Sequence, residues 1–158
     1  DAGIVSPRGD VSEGGAARFF RRTGEGVYDM DDLALRTARM ASYVADHKAA
    51  HPGAPIYGFG YSNGANILAS VMMARPELFD RVGLLHPLIP WDPAAADLTP
   101  RRVLITAGRR DPICPWPLSE RLIAWASAQG AEVTTEIHDG GHEIRQGEVA
   151  ALAGLLTG

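Results

Sequence analysis

The stretch Ile56-Tyr57-Gly58-Phe59-Gly60-Tyr61-Ser62-Asn63-Gly64-Ala65-Asn66-Ile67-Leu68 decides how the rest of the chain is read. Ile56 to Gly60 has the apolar, glycine-interleaved character of a short buried strand. From Ala65 to Ala74 the side chains of Ile67, Leu68, Val71 and Met72 face inward at helical spacing, and Pro76 marks a helix already ended. Between the two lies Gly60-Tyr61-Ser62-Asn63-Gly64. A serine between two glycines at a strand-to-helix junction is the pattern of a nucleophile elbow. The turn is so sharp that the serine backbone is strained, and both glycines are expected to relieve clashes with strand and helix. The hydroxyl then projects above the sheet, and the N–H of Asn63, at the helix N-terminus, faces any oxyanion formed there. Gly-x-Ser-x-Gly alone is a modest signal, since the 18 glycines of the chain give ~0.09 chance matches. Its position between a strand and a helix makes it a strong one.

Outward from the elbow, short apolar segments alternate with amphipathic ones. Ala2 to Val5 reads as a brief strand, stopped by Ser6-Pro7-Arg8-Gly9, and residues 10–29 as a long loop anchored by Phe19, Phe20 and Tyr28. A helix follows from Asp31 to about His47, capped by Asp31 or Asp32, with Leu33, Thr37, Met40 and Val44 along one face. His51 to Pro55 is a linker turn. Beyond the elbow helix come a strand at Val82–Leu85, a Pro- and Asp-rich excursion over 88–101 at the sheet's edge, and a continuous apolar strand at Val103–Ala107. Pro117 and Gly130 bracket a helix. Glu132–Ile137 alternates like a strand near an edge, and the last helix runs from about Arg145 to Leu156. This order predicts one α/β domain over residues 1–158, a mostly parallel sheet with helices on both faces. Such sheets carry their chemistry at the carboxyl ends of the strands.

A serine hydroxyl needs a base to accept its proton. Of the five histidines, His47 and His51 fall at a helix end and in a linker, and His86 ends a strand where it can line a pocket. A Ser, then Asp or Glu, then His order along the chain puts the base after the last strand. His142, in Asp139-Gly140-Gly141-His142-Glu143, fits best and His138 second. The spacing of His138 and His142 would suit a metal on a helix, but Gly140-Gly141 between them argues against a helix, and no metal is expected. The acid that orients the base should follow the strand at 103–107. Asp111 does, although an Asp-Pro pair also makes plain turns. Asp80, Asp92 and Asp139 are weaker candidates. Cys114 reads as a pocket-wall or core residue rather than a nucleophile.

Composition narrows the classes of partner. Net charge is −4 and the arginines are scattered or paired, which excludes a basic nucleic-acid-binding stripe. No stretch is apolar for long enough to span a membrane, and the single cysteine requires no oxidising compartment, so a cytoplasmic enzyme is expected.

At this point the chain resembles the phospholipase/carboxylesterase family of α/β-hydrolases, related to acyl-protein thioesterases. The resemblance lies in Ser6-Pro7-Arg8-Gly9, Arg18-Phe19-Phe20-Arg21-Arg22, Gly24 to Asp32, Gly60 to Asn66, Asp111-Pro112-Ile113-Cys114-Pro115 and Gly141-His142-Glu143. It implies hydrolysis of small carboxylic esters by Ser62, Asp111 and His142 through an acyl-enzyme, without a cofactor. Tyr61, Leu88, Ile89, Trp91 and Cys114 are expected to line an acyl or aryl pocket, roofed by Phe19, Phe20 and Arg22. Members of the family begin with further strands and a His-Gly-x-Gly-Gly-type loop that supplies a second oxyanion N–H. This sequence lacks that segment, and its third strand would lie between residues 2–5 and 56–60. Two readings follow. One is an active serine esterase. The other is an inactive or partner-dependent chain, with an open strand edge that invites a homodimer.

Overall fold

The computed structural model describes residues 2–158. Two hairpins open the regular structure: β1 (Val11–Glu13) with β2 (Ala16–Arg18), then β3 (Arg22–Gly24) with β4 (Val27–Tyr28). The long helix α1 (Met30–Ala50) leads to β5 (Tyr57–Tyr61) and α2 (Asn63–Ala74). After a short 3-10 turn come β6 (Arg81–Leu85), β7 (Arg102–Gly108), α3 (Trp116–Ala128), β8 (Glu132–His138) and α4 (Gln146–Thr157).

The central sheet is parallel throughout, in the order β5-β6-β7-β8. β6 and β7 are the interior strands and read as near-continuous apolar runs because both their faces are covered. Val82, Leu84, Val103 and Ile105 turn to one face, where Ala69 and Met72 of α2 and Leu122 and Ala126 of α3 join them in a single core. The opposite face meets α4. A Cβ on Gly83 would stand 3.0 Å from Leu152 and 3.3 Å from Leu155. β5 and β8 are the edges, and on β5 Tyr57, Phe59 and Tyr61 are exposed while Gly58 and Gly60 turn the other way. The register pairs Tyr61 with Leu85, Leu85 with Thr106, and Gly108 with His138. All four strands therefore end within two residues of one level, which gathers the residues that follow them.

Four expectations are corrected. Residues 2–5 form no strand: Ile4 is 90% exposed and Val5 53%, and among the described residues no neighbouring strand offers them a ladder. The 10–29 segment is not a loop but the two hairpins. Gly14 and Gly15, at φ of 56° and 85°, make the left-handed two-residue turn that joins strands too short to show periodicity. Its aromatic anchors do hold, with Phe20 fully buried against Leu33 and Ile67 and with Phe19 and Tyr28 packed on the same cluster. The cap of α1 is Asp29, whose carboxylate accepts from the Asp32 N–H. The Asp32 side chain instead accepts from the Arg21 N–H and pairs with Arg36, tying the second hairpin to the helix. Residues 88–101 do not run along an edge. They link the two interior strands, burying Leu88, Ile89 and Leu98, with the Leu98 N–H donated to the Gln129 carbonyl at the end of α3. Among the described residues, no helix is long and apolar enough to cross a membrane.

The junction of β5 and α2 distinguishes its two glycines. A Cβ on Gly60 would lie 2.5 Å from the carbonyl carbon of Gly64 and 2.8 Å from the nitrogen of Ala65, both of them backbone. On Gly64 it would meet only the Phe19 ring, at an ordinary 3.7 Å. Only Gly60 is therefore required sterically, against the expectation that both glycines relieve clashes. In urea titrations Gly60→Ala should lose about 1–3 kcal/mol or more. Gly64→Ala, on a helix that favours alanine, should change stability by less than about 1 kcal/mol. Equal losses at the two positions would contradict this account of the turn.

Candidate active site

Ser62 sits between β5 and α2 with φ 53° and ψ −115°, a conformation that few residues other than glycine adopt. The surroundings hold it there. Its N–H donates to the Leu85 carbonyl and its own carbonyl accepts the first bond of α2, from Asn66. The N–H groups of Asn63, Gly64 and Ala65 lie in the first turn of α2, where no helical partner exists for them. The side chain of Asn63 is already engaged, its Oδ1 accepting from the Phe19 N–H at 2.8 Å.

Of the two histidines weighed for the base, His142 is the one that reaches the serine. Its Nε2 lies 3.0 Å from Ser62 Oγ, and its Nδ1 lies 2.7 Å from Asp111 Oδ2. Asp111 follows β7 and His142 follows β8, so the register of the sheet brings these residues together. Gly108, at the end of β7, permits the approach, because any Cβ there would collide with the carbonyls of Gly140 and Gly141. Tyr61 completes the loop's support by donating its hydroxyl to the His142 carbonyl at 2.7 Å.

Asp111 is 6% exposed. Burial pushes its carboxyl up, but the Cys114 N–H, His142, His86 and the Ile113 N–H together outweigh that and hold it below the ordinary carboxylate value. An ionised Asp111 can only accept, so His142 must carry its proton on Nδ1 and present a bare Nε2 to the serine. The remaining acids serve elsewhere. Asp80 accepts from the Ile56 N–H, Asp92 pairs with Arg121, and Asp139 pairs with Arg109.

Beneath this chain, His86 and Glu148 are fully buried and in contact, with His86 also against Asp111 and His138 against Glu148. Two trios of metal-ligating types result, His86 with Asp111 and His142, and His86 with His138 and Glu148. Neither has the chemistry of a metal centre. His142 carries its proton on Nδ1, the nitrogen that faces Asp111, and His138 Nδ1 accepts from the Gly140 N–H, which leaves the proton on the Nε2 that would have to ligate. In the sequence His86 offered only its place at a strand end, and Glu148 lies on a helix where nothing separates a buried acid from a solvated one.

A small cleft of about 20 Å³ opens beside Ser62, lined in part by Arg18, Arg22, Tyr28, Asn66, Leu88 and Cys114. Asn66 donates to the Tyr28 hydroxyl and accepts from the Leu88 N–H, while Tyr28 donates to the Leu88 carbonyl, so three segments are pinned around the serine. Four pocket expectations are corrected. Phe20 lies in the second core cluster rather than over the cleft, and Ile89 lies in the main core. Tyr61 spends its hydroxyl on the His142 loop. Trp91 packs edge-on against Tyr28 behind the cleft. Cys114 has its thiol pushed up to about 12, first by burial and then by the charges of Asp111 and Glu25, which keeps it neutral.

No protein-family model matches the chain. MhqD of Bacillus subtilis (strain 168), named a hydrolase, is 35% identical over 151 residues, which span 94% of this chain and 76% of that protein. Among solved structures, Atu2452 of Agrobacterium tumefaciens str. C58, a protein of unknown function, shares 56% identity at a TM-score of 0.91, over 96% of this chain and 74% of that one. The Bacillus cereus carboxylesterase shares 36% identity at a TM-score of 0.86, over 92% of this chain and 70% of that one. Likeness of this extent to proteins named hydrolase and carboxylesterase, on a parallel sheet with an elbow at Ser62, makes this chain a hydrolase, and it belongs to the phospholipase/carboxylesterase family of α/β-hydrolases.

Proposed function

We propose that this chain is a serine esterase that hydrolyses small carboxylic esters through an acyl-enzyme on Ser62. The observation that carries the reading is the unbroken path from Ser62 Oγ to His142 Nε2 at 3.0 Å and from His142 Nδ1 to Asp111 Oδ2 at 2.7 Å. In this reading His142 takes the serine proton as Oγ attacks the ester carbonyl, and Asp111 stabilises the imidazolium that forms. The oxyanion collects at the start of α2, where the Asn63 N–H and the positive end of the helix dipole face it. His142 returns the proton to the leaving alcohol, then activates the water that cleaves the acyl-enzyme. The cleft is about the size of one water molecule. That favours short acyl groups, with the alcohol portion lying across the open mouth.

Turnover of p-nitrophenyl acetate tests the reading. Ser62→Ala and His142→Ala should each lower kcat by about a thousandfold or more, and Asp111→Asn by a comparable factor, because an amide can favour the wrong imidazole tautomer. A Ser62→Ala variant as active as the parent would sink the esterase reading. A burst of p-nitrophenol followed by negligible turnover would favour the second reading, a formed elbow with incomplete oxyanion stabilisation.

Asp111 also ties stability to pH. Its folded value is lowered, so its contribution is fully present above the unfolded carboxylate value of about 3.9 and is lost as pH falls through the lower folded value. Urea titrations across the acid range should show Asp111→Asn losing less stability there than the parent. Parallel acid limbs for the two proteins would contradict the assignment.

A further inference from the structure

A second chain of titratable groups runs under the first, and the proposed reaction does not use it directly. His86 follows β6 as Asp111 follows β7. It is fully enclosed, and its φ of 50° makes it, with Ser62, one of two non-glycine residues of positive φ among the described residues. Such a backbone persists only where its surroundings hold it. Here the His86 N–H donates to the Thr106 carbonyl at 3.1 Å, and its carbonyl accepts from the Cys114 thiol at 3.4 Å. The result turns the imidazole inward, with Nδ1 3.1 Å from Asp111 Oδ2 and Nε2 2.6 Å from Glu148 Oε1. The other oxygen of Glu148 accepts from the Arg145 N–H at 2.7 Å and lies 3.2 Å from His138 Nε2, which anchors it to the first turn of α4.

Proton positions follow from these partners. Asp111 Oδ2 is an acceptor, so the His86 nitrogen facing it, Nδ1, must be protonated. His86 Nε2 and Glu148 Oε1 have no other polar partner, and they meet at 2.6 Å off the line of an aligned hydrogen bond. Two bare lone pairs at that distance would repel, so one proton lies between them. The alternative, a buried carboxylate without a compensating proton, is the costlier arrangement.

The division of labour at Asp111 then becomes informative. Oδ1 is fixed by the N–H groups of Ile113 and Cys114, at 2.8 and 2.9 Å. Oδ2 carries only the two imidazoles, His142 from the site side and His86 from the interior. We propose that His86 is a positioning residue for His142: its Nδ1–H clamps Asp111 Oδ2 in the plane that His142 needs, and Glu148 anchors its far side. This rests on the reading of Ser62, His142 and Asp111 as the reacting residues.

Long-range 1H–15N spectra of histidine-labelled protein at mildly alkaline pH report the tautomer of each imidazole without any turnover. His86 is expected to be protonated at Nδ1, and His142 to be a single Nδ1–H tautomer. A His86 with a bare Nδ1 overturns the proposal, and that readout stands whether or not any variant folds. In His86→Ala, checked for folding by circular dichroism, His142 should lose its single tautomer. The kcat for p-nitrophenyl acetate should fall about 10- to 100-fold with KM changed less than about threefold. His86→Asn should recover most of both, since asparagine tolerates a left-handed backbone and offers an amide N–H near the place of Nδ1. A folded His86→Ala with His142 still in one tautomer and kcat unchanged overturns the assignment. A parent protein without esterase activity would sink the proposed function alone, because the tautomer comparison still decides the role of His86.

Discussion

One carboxylate holds this site together. Asp111 accepts from two backbone N–H groups through one oxygen and from two imidazoles through the other. Burial by itself would drive a carboxyl toward its neutral form. Four donors reverse that and keep the charge in place where water cannot reach it. Every other feature of the site is arranged around that charge. The tautomer of His142, the bare nitrogen it presents to Ser62 and the proton on His86 Nδ1 all follow from the requirement that Asp111 only accept. Electrostatic stabilisation of this kind is effective because the dipoles are already aimed before charge develops elsewhere.

The sheet is what makes the convergence possible. Ser62, His86, Asp111 and His142 follow four successive strands, and none is near another in sequence. The shared register puts the strand ends within two residues of one another, and two glycines remove the atoms that would keep the segments apart. Gly60 lets the start of α2 fold back on β5, and Gly108 lets the loop carrying His142 lie on the end of β7. Among the described residues, the two non-glycine residues of positive φ, Ser62 and His86, both lie on this rim. Each is held by hydrogen bonds from a neighbouring strand end, so the cost is met by the ordered sheet below.

Much of this was legible from residues alone, for definable reasons. The strand-elbow-helix around Ser62 has a strong local signature, a glycine-bounded serine at a change of period. Asp111 and His142 were legible by order along the chain, since each follows a strand. The interior strands were visible because burial on both faces makes them apolar throughout. The two early hairpins were not, because strands of two or three residues are too short to show alternation, although Gly14-Gly15 is a turn signal in its own right. Residues 2–5 look like a strand by composition, yet a strand exists only where a partner offers a ladder. Phe20 and Ile89 carry no mark of their place in the core, because an apolar residue in a loop looks the same whether it lines a cleft or fills a core. The His86–Glu148 pair was invisible, since its meaning lies wholly in a contact between distant elements.

On this geometry Ser62 is a nucleophile activated by its neighbours. The most direct measurement is reaction of the native chain with a fluorophosphonate, followed by mass spectrometry of the intact protein and its peptides. A single adduct is expected on the peptide containing Ser62, formed rapidly at neutral pH and suppressed in both His142→Ala and the urea-unfolded protein. No adduct on the folded chain, or one that maps to another residue, would contradict it.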